Sequence, residues 1–188
     1  MNETNSTTLL SACMYRGETE KFAVSCEITA GIGIHVIGIE DASVREILLR
    51  VVTALQHVGY SLPGKKMIIR ITKTEKSEGG RLLTPSATRS GLDLSIALAI
   101  LVASGKVAEP SKKGLLFIGE IGLDGTIRCP ETGMRNAAYA AAVMDYTNRD
   151  NDGAIIGWNP ELMFRPAYRW TGFDNLTQVI DAINSDIL

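Results

Sequence analysis

Residues 31–55 read GIGIHVIGIEDASVREILLRVVTAL, and two patterns inside this stretch decide the fold class. The first part, Gly33 to Ile39, is an apolar run that begins beside a glycine turn, which predicts a β-strand. From Asp41 onward, apolar residues recur at helical spacing, with Asp41 as the predicted N-cap and Gly59 as the stop signal. These apolar positions are Val44, Ile47, Leu48, Val51, Val52 and Leu55. A strand followed at once by an amphipathic helix indicates a fold that mixes both elements.

Outward from this stretch, the same patterns predict elements along the rest of the chain. Strands are predicted at 9–15, 21–29, 67–72 and 154–156, helices at 94–104, 131–144 and 176–183, and a hairpin of 115–121 with 126–128 around the turn Asp124-Gly125. Residues 73–92 form one long irregular stretch, and loops of that length are usually functional or mobile. Because the chain shows neither a repeat nor a linker, we predict a single α+β domain over 9–185 after a polar tail, 1–8.

The composition excludes several classes of protein. Of 188 residues, 45% are hydrophobic and 21% are charged, which is too apolar for intrinsic disorder. The longest apolar run, Ile96 to Ala103, is far shorter than the ~20 residues that cross a bilayer. Three cysteines without a CxxC pair argue against a disulfide framework and against a zinc site. We therefore expect a cytoplasmic protein with no membrane partner.

Positive charge is concentrated in one segment, although the whole chain has a net charge of −2. Between residues 62 and 92, seven basic residues stand against two acidic ones. Lysine and arginine clusters of this kind bind phosphates, so this segment is a candidate nucleic-acid contact. The candidate residues are Lys65, Lys66, Lys73, Lys76, Arg81 and Arg89. The alternative is that these charges only solvate a loop, and the loop has no aromatic residue on which bases could stack.

The sequence contains no complete motif for binding a cofactor or a metal. The stretch Gly59 to Lys66 resembles a phosphate loop, but it ends in Lys66 where a hydroxyl is needed, and a strand rather than a helix follows. His35 and His57 lack the second ligand that a metal site requires. We therefore expect no cofactor. Among the acidic residues, Asp93 is predicted to cap the buried helix, and Glu120 in an apolar strand is predicted to have a specific hydrogen-bonding partner.

Three segments in order carry a family resemblance: residues 31–46, GIGIHVIGIEDASVRE; residues 90–98, SGLDLSIAL; and residues 118–125, IGEIGLDG. Together they resemble the N-terminal domain of the magnesium-chelatase-related ComM (YifB) proteins, over about Leu9 to Ile183. That domain is similar to the proteolytic domain of Lon. The resemblance implies a ribosomal protein S-five domain 2-like fold with a left-handed βαβ crossover.

Lon-type enzymes use a serine nucleophile and a lysine base, and the resemblance implies where each would stand in this chain. Asp93 occupies the serine position, and the lysine position falls near Met134. Neither residue type can perform the reaction, and no lysine occurs after Lys113. We therefore expect a non-enzymatic domain. The alternatives are an unusual peptidase that uses Ser90 or Ser95 with Lys73 or Lys76, and a solitary protein-interaction module.

The resemblance also implies partners. ComM-like proteins continue into an AAA+ ATPase module that acts on DNA in recombination, and this sequence ends before that module. The expected partners are an AAA+ ATPase module, from the same gene or a neighbouring one, together with DNA and further copies of the chain. The segment Thr74 to Gly91 is longer than the corresponding family loop and diverges from it, so its role stays open.

Overall fold

The structure is a computed structural model that describes residues 7–15, 18–38, 41–74, 91–130, 154–159 and 170–188. Its strands are β1 (Thr7–Tyr15), β2 (Glu18–Thr29), β3 (Ile34–Ile37), β4 (Lys66–Lys73), β5 (Leu116–Phe117), β6 (Glu120–Ile121), β7 (Ile127–Arg128), β8 (Ile155–Trp158) and β9 (Trp170–Phe173). Its helices are α1 (Asp41–His57), α2 (Asp93–Ala103) and α3 (Leu176–Asn184).

Seven strands form one central sheet in the order β3-β4-β2-β1-β5-β8-β9. The pairs β1–β2 and β2–β4 are antiparallel, and the pairs β3–β4, β1–β5, β5–β8 and β8–β9 are parallel. Helix α1 connects the parallel neighbours β3 and β4. The described residues therefore form a mixed α/β fold with a mostly parallel sheet, which is compatible with the predicted α+β class.

The core lies between this sheet and the helices α1 and α2. Alternate residues of β2 and β4 are buried, which is the period of two expected of strands with one covered face, whereas all four residues of β8 are buried. The residues on that face include Phe22 and Val24 of β2 and Met67 and Ile69 of β4. Helix α2 is buried from Asp93 to Val102, in agreement with its nearly all-apolar sequence. Its position in the centre of the domain makes any polar group on it expensive to bury without a partner.

Most predicted elements are confirmed, and they differ from the prediction mainly at their ends. Asp41, predicted to be the N-cap of α1, is instead its first residue, and Gly59 follows the end of α1 with a φ of +92°, a conformation that favours glycine. Strand β1 begins at Thr7, so the last two residues of the predicted polar tail belong to the sheet. The predicted helix 131–144 and residues 75–90 of the long loop lie outside the described residues.

The prediction of one strand over 115–121 is wrong. Residues Leu116–Phe117 join the central sheet, whereas Glu120–Ile121 pair with Ile127–Arg128 in a separate two-stranded hairpin. Strand β9 was not predicted, because WTGF shows neither alternation nor a long apolar run. In the described part of the chain, no helix is long and apolar enough to cross a membrane.

Candidate functional site

The start of helix α2 is held by backbone hydrogen bonds to the segment between β5 and β6. The N–H of Gly119 donates to the carbonyl of Gly91 (3.1 Å), and the N–H of Leu94 donates to the carbonyl of Gly119 (3.2 Å). Gly91 has a φ of +116°, and a Cβ there would lie 3.2 Å from the carbonyl oxygen of Ala12. A glycine is therefore required for the chain to enter α2 in this position.

The prediction that Asp93 caps α2 is wrong. The N-cap residue is Leu92, whose side chain makes no capping hydrogen bond. The Asp93 carboxylate is fully buried and accepts two hydrogen bonds from Arg50 of α1, at 2.8 Å from Nε and 3.3 Å from Nη2. It also accepts the backbone N–H of Ile121 at 3.2 Å. One carboxylate thus connects α1, α2 and the β6–β7 hairpin.

Arg50 is surrounded by acidic groups. Its Nη1 donates to Glu46 at 2.6 Å, one turn earlier on α1, where the Glu46 side chain is 69% exposed. Burial lowers the pKa of Arg50, but the hydrogen bond and charge of Asp93, with the charges of Glu120 and Glu46, raise that pKa on balance. Glu120, predicted to need a partner, therefore lies within electrostatic reach of Arg50.

Burial raises the pKa of the Asp93 carboxyl, while the hydrogen bond and charge of Arg50 and the Ile121 N–H oppose that rise. An isolated carboxylate would be very costly to bury at this depth, so Arg50 is what makes the ionised form tolerable. The sequence contained a signal for this partner. Arg50 is three residues after Ile47 and four before Ala54, so it interrupts the apolar stripe of α1.

Ser95, a candidate nucleophile, lies on the same helix. Its side chain is fully buried, and its hydroxyl donates to the carbonyl of Leu92 at 2.8 Å. Ser90 and Lys76 of the same hypothesis lie outside the described residues. His35 on β3 and His57 in the last turn of α1 are both exposed. Within the described ranges, no three His, Cys, Asp or Glu side chains form a group that could hold a metal.

The candidate nucleic-acid contacts do not all lie together. Lys65 is exposed just before β4, Lys66 is the first residue of β4 and Lys73 is its last. Lys73 is seven positions after Lys66 in the strand, which puts the two residues about 23 Å apart and on opposite faces of the sheet. Lys76, Arg81 and Arg89 lie outside the described residues. Arg70, which was not among the candidates, is exposed on the same face of β4 as Lys66.

Comparison with known proteins places these residues in a family. Residues 24–148, more than half of the chain, match the family model described as subunit ChlI of Mg-chelatase. The chain belongs to this ChlI family. The matched range contains Arg50, Asp93 and all of β4, so the ion pair and the basic strand both lie inside the ChlI domain.

Curated relatives of this ChlI domain include YifB and ComM proteins. The chain is 28% identical over 141 residues to an uncharacterized protein YifB of Escherichia coli (strain K12), which is 71% of this chain and 26% of that protein. It is 30% identical over 107 residues to an uncharacterized protein YifB of Salmonella typhimurium, 56% of this chain and 19% of that protein. It is 29% identical over 97 residues to competence protein ComM of Haemophilus influenzae, 51% of this chain and 17% of that protein. The chain thus spans about a quarter or less of these relatives.

Proposed function

We propose that this chain is a non-catalytic accessory domain that assists a ComM-like AAA+ ATPase module in assembly or in engaging DNA during recombination or transformation. Membership of the ChlI family supports the relation to YifB and ComM. The Lon-like fold and a cytoplasmic location are parts of the same proposal. The parallel strand pair β3–β4 around α1 is the βαβ unit that a Lon-like fold would need.

The observation that carries the non-catalytic proposal is the state of Asp93. The resemblance to Lon-type enzymes places Asp93 where their serine nucleophile stands. Here that position holds a fully buried carboxylate, which accepts hydrogen bonds from Arg50 and from the Ile121 N–H. A carboxylate in an ion pair is a poor nucleophile and is inaccessible to a peptide. Ser95, two residues later, is equally buried and uses its hydroxyl within the helix.

A serine-directed fluorophosphonate probe tests this part of the proposal. We expect the 188-residue chain to show no labelling above a heat-denatured sample, and no turnover of a fluorescent casein substrate. Labelling of the native chain that disappears in a Ser90→Ala or a Ser95→Ala variant would overturn the non-catalytic proposal in favour of a Ser-Lys peptidase. We expect the Ser95→Ala variant to behave like the wild type, because the Ser95 hydroxyl is buried and donates to the carbonyl of Leu92.

DNA engagement is supported by the uneven charge of the chain and by the exposure of Lys65 and Arg70. Binding through phosphates weakens steeply as salt is raised, because each neutralised phosphate releases counterions. We expect the chain to bind a fluorescent duplex at 50 mM salt and to lose most of that affinity at 200 mM. An absence of binding at low salt would remove DNA engagement and leave assembly as the accessory role.

A further inference from the structure

The central sheet has a second face on the side away from α1 and α2. On β4, Met67, Ile69 and Ile71 are buried against the helices, while Lys66 and Ile68 are half-buried and Arg70 is exposed on the opposite side. Because side chains alternate along a strand, these three residues share one face. The same alternation continues on the neighbouring strands β2 and β3.

Strand register joins these residues into one surface across three strands. Ser25 of β2 lies opposite Arg70, Glu27 lies opposite Ile68, and His35 of β3 lies opposite Ile68 from the other side. Ser25 and Glu27 are half-buried and His35 is exposed. We call this surface the open face and define it by Ser25, Glu27, His35, Ile37, Lys66, Ile68 and Arg70.

Positive charge predominates on the open face. Lys66 and Arg70 lie on it, and Lys21 follows on the same side of β2, whereas Glu27 is its one acidic residue and His35 its one histidine among the described residues. Within the described ranges, neither Lys66 nor Arg70 makes an ion pair, in contrast to Arg50 on the other side of the sheet. Their charge is therefore available to an external anion.

The other side chains of the open face indicate which anion fits. The described face carries no Phe, Tyr or Trp, so it has no platform on which the bases of a single strand would stack. Lys66 and Arg70 are about 13 Å apart along β4, so each can contact a different phosphate of the same backbone. The Ser25 hydroxyl, opposite Arg70, can donate to a phosphate oxygen.

We propose that the open face binds the sugar–phosphate backbone of duplex DNA through Lys66 and Arg70, without reading its sequence. This inference rests on the proposed DNA engagement and specifies its surface and its form of DNA. It assigns a role to Arg70 and gives none to Lys73, which lies at the far end of β4 on the opposite face.

Fluorescence anisotropy with a labelled 30-base-pair duplex of arbitrary sequence tests the proposal, with the matching single strand as the second probe. The variant is Lys66→Ala/Arg70→Ala. The matched control is Lys106→Ala/Lys113→Ala, which removes the same charge from two exposed lysines in the segment after α2. Thermal unfolding followed by circular dichroism establishes that both variants are folded.

We expect the open-face variant to bind the duplex at least tenfold more weakly at 50 mM salt, and the control to stay within twofold of the wild type. The slope of log affinity against log salt is expected to fall by about 1.8 in the open-face variant, for two lost phosphate contacts. We also expect the wild type to prefer the duplex over the single strand.

Each other result overturns the inference in a distinguishable way. If the wild type binds duplex DNA and the two variants weaken it equally, the open face is the wrong surface, but DNA engagement stands. If the single strand binds more tightly than the duplex, the form of DNA is wrong. If the wild type binds neither probe at 50 mM salt, DNA engagement itself fails, and a protein partner becomes the occupant to seek.

Discussion

Replacing Arg50 by methionine tests the ion pair at the start of α2. Methionine replaces the aliphatic part of the arginine side chain with an unbranched chain of similar length, and it leaves the Asp93 carboxylate buried without its counter-charge. Removal of one partner from a buried pair costs about 3–5 kcal/mol. Because the Arg50 side chain is 18% exposed, we expect a loss near the lower end, about 3 kcal/mol in the free energy of unfolding. The exposed Arg50–Glu46 pair contributes only about 0.3–0.5 kcal/mol of this loss.

The double variant Arg50→Met/Asp93→Asn separates lost charge from lost packing. Asparagine removes the buried charge but retains an oxygen that accepts the Ile121 N–H. We therefore expect the double variant to recover about 2 kcal/mol relative to Arg50→Met alone, since the unpaired charge is the main penalty. This recovery is a non-additive effect, of the size found for groups that are in contact or share one hydrogen-bond network.

Urea unfolding followed by circular dichroism measures these changes. The control is Arg45→Met, which removes an exposed arginine from the same helix and is expected to alter stability by no more than about 0.5 kcal/mol. The account of the site is refuted if Arg50→Met costs no more than Arg45→Met. It is also refuted if Asp93→Asn adds a further loss in the Arg50→Met background.

Three further predictions follow from the same structure. In Arg50→Met, the pKa of the buried Asp93 should rise further. A carboxyl whose pKa is raised in the folded state favours folding below its unfolded pKa of about 3.9, and this effect is lost as pH rises through the folded pKa. The loss of unfolding free energy relative to the wild type should therefore grow from pH 4 to pH 7. Urea unfolding at pH 4, 5.5 and 7 checks this, and a deficit independent of pH would contradict it. Gly91→Ala should destabilise the fold by about 1–3 kcal/mol because of the positive φ of Gly91. Gly64→Ala should be nearly neutral, because a Cβ at that position has no other atom within 4 Å. Equal unfolding midpoints of the two variants would contradict the argument from backbone strain. Burial, and secondarily the charge of Glu27, raises the pKa of the Cys26 thiol to about 11. Iodoacetamide at pH 8 should therefore modify Cys26 only in urea, which mass spectrometry can establish. Rapid modification of Cys26 in the native protein would contradict its burial.

Local patterns in the sequence predicted much of the fold. The apolar alternation of β2 and β4 and the helical spacing of α1 each identify an element and its buried face. The single strand predicted over 115–121 failed for a tertiary reason. Gly119 directs its N–H to Gly91 and its carbonyl to Leu94, so this segment hydrogen-bonds to the start of α2 instead of continuing in a strand.

Less of the candidate site than of the fold could be predicted from the sequence. Asp93 stands out in an apolar helix, but a first-turn carboxylate has the same sequence pattern whether it caps its own helix or pairs with a residue of another helix. The second feature needed to choose between these two roles was Arg50, whose place on the apolar stripe of α1 indicates a buried partner for Asp93. For the basic segment, residue counts gave the charge correctly, but only the alternation of β4 shows that Lys66 and Arg70 share a face that Lys73 does not.

The accessory role is tested most directly with the AAA+ module that this domain is proposed to assist. The measurement is the DNA-stimulated ATPase rate and the native mass of a ComM-like AAA+ module from the same genome, with and without the 188-residue chain. We predict that the chain binds the module and changes either its assembly or its DNA-stimulated rate at least twofold. An unchanged mass and an unchanged rate at a saturating concentration of the chain would contradict the proposal.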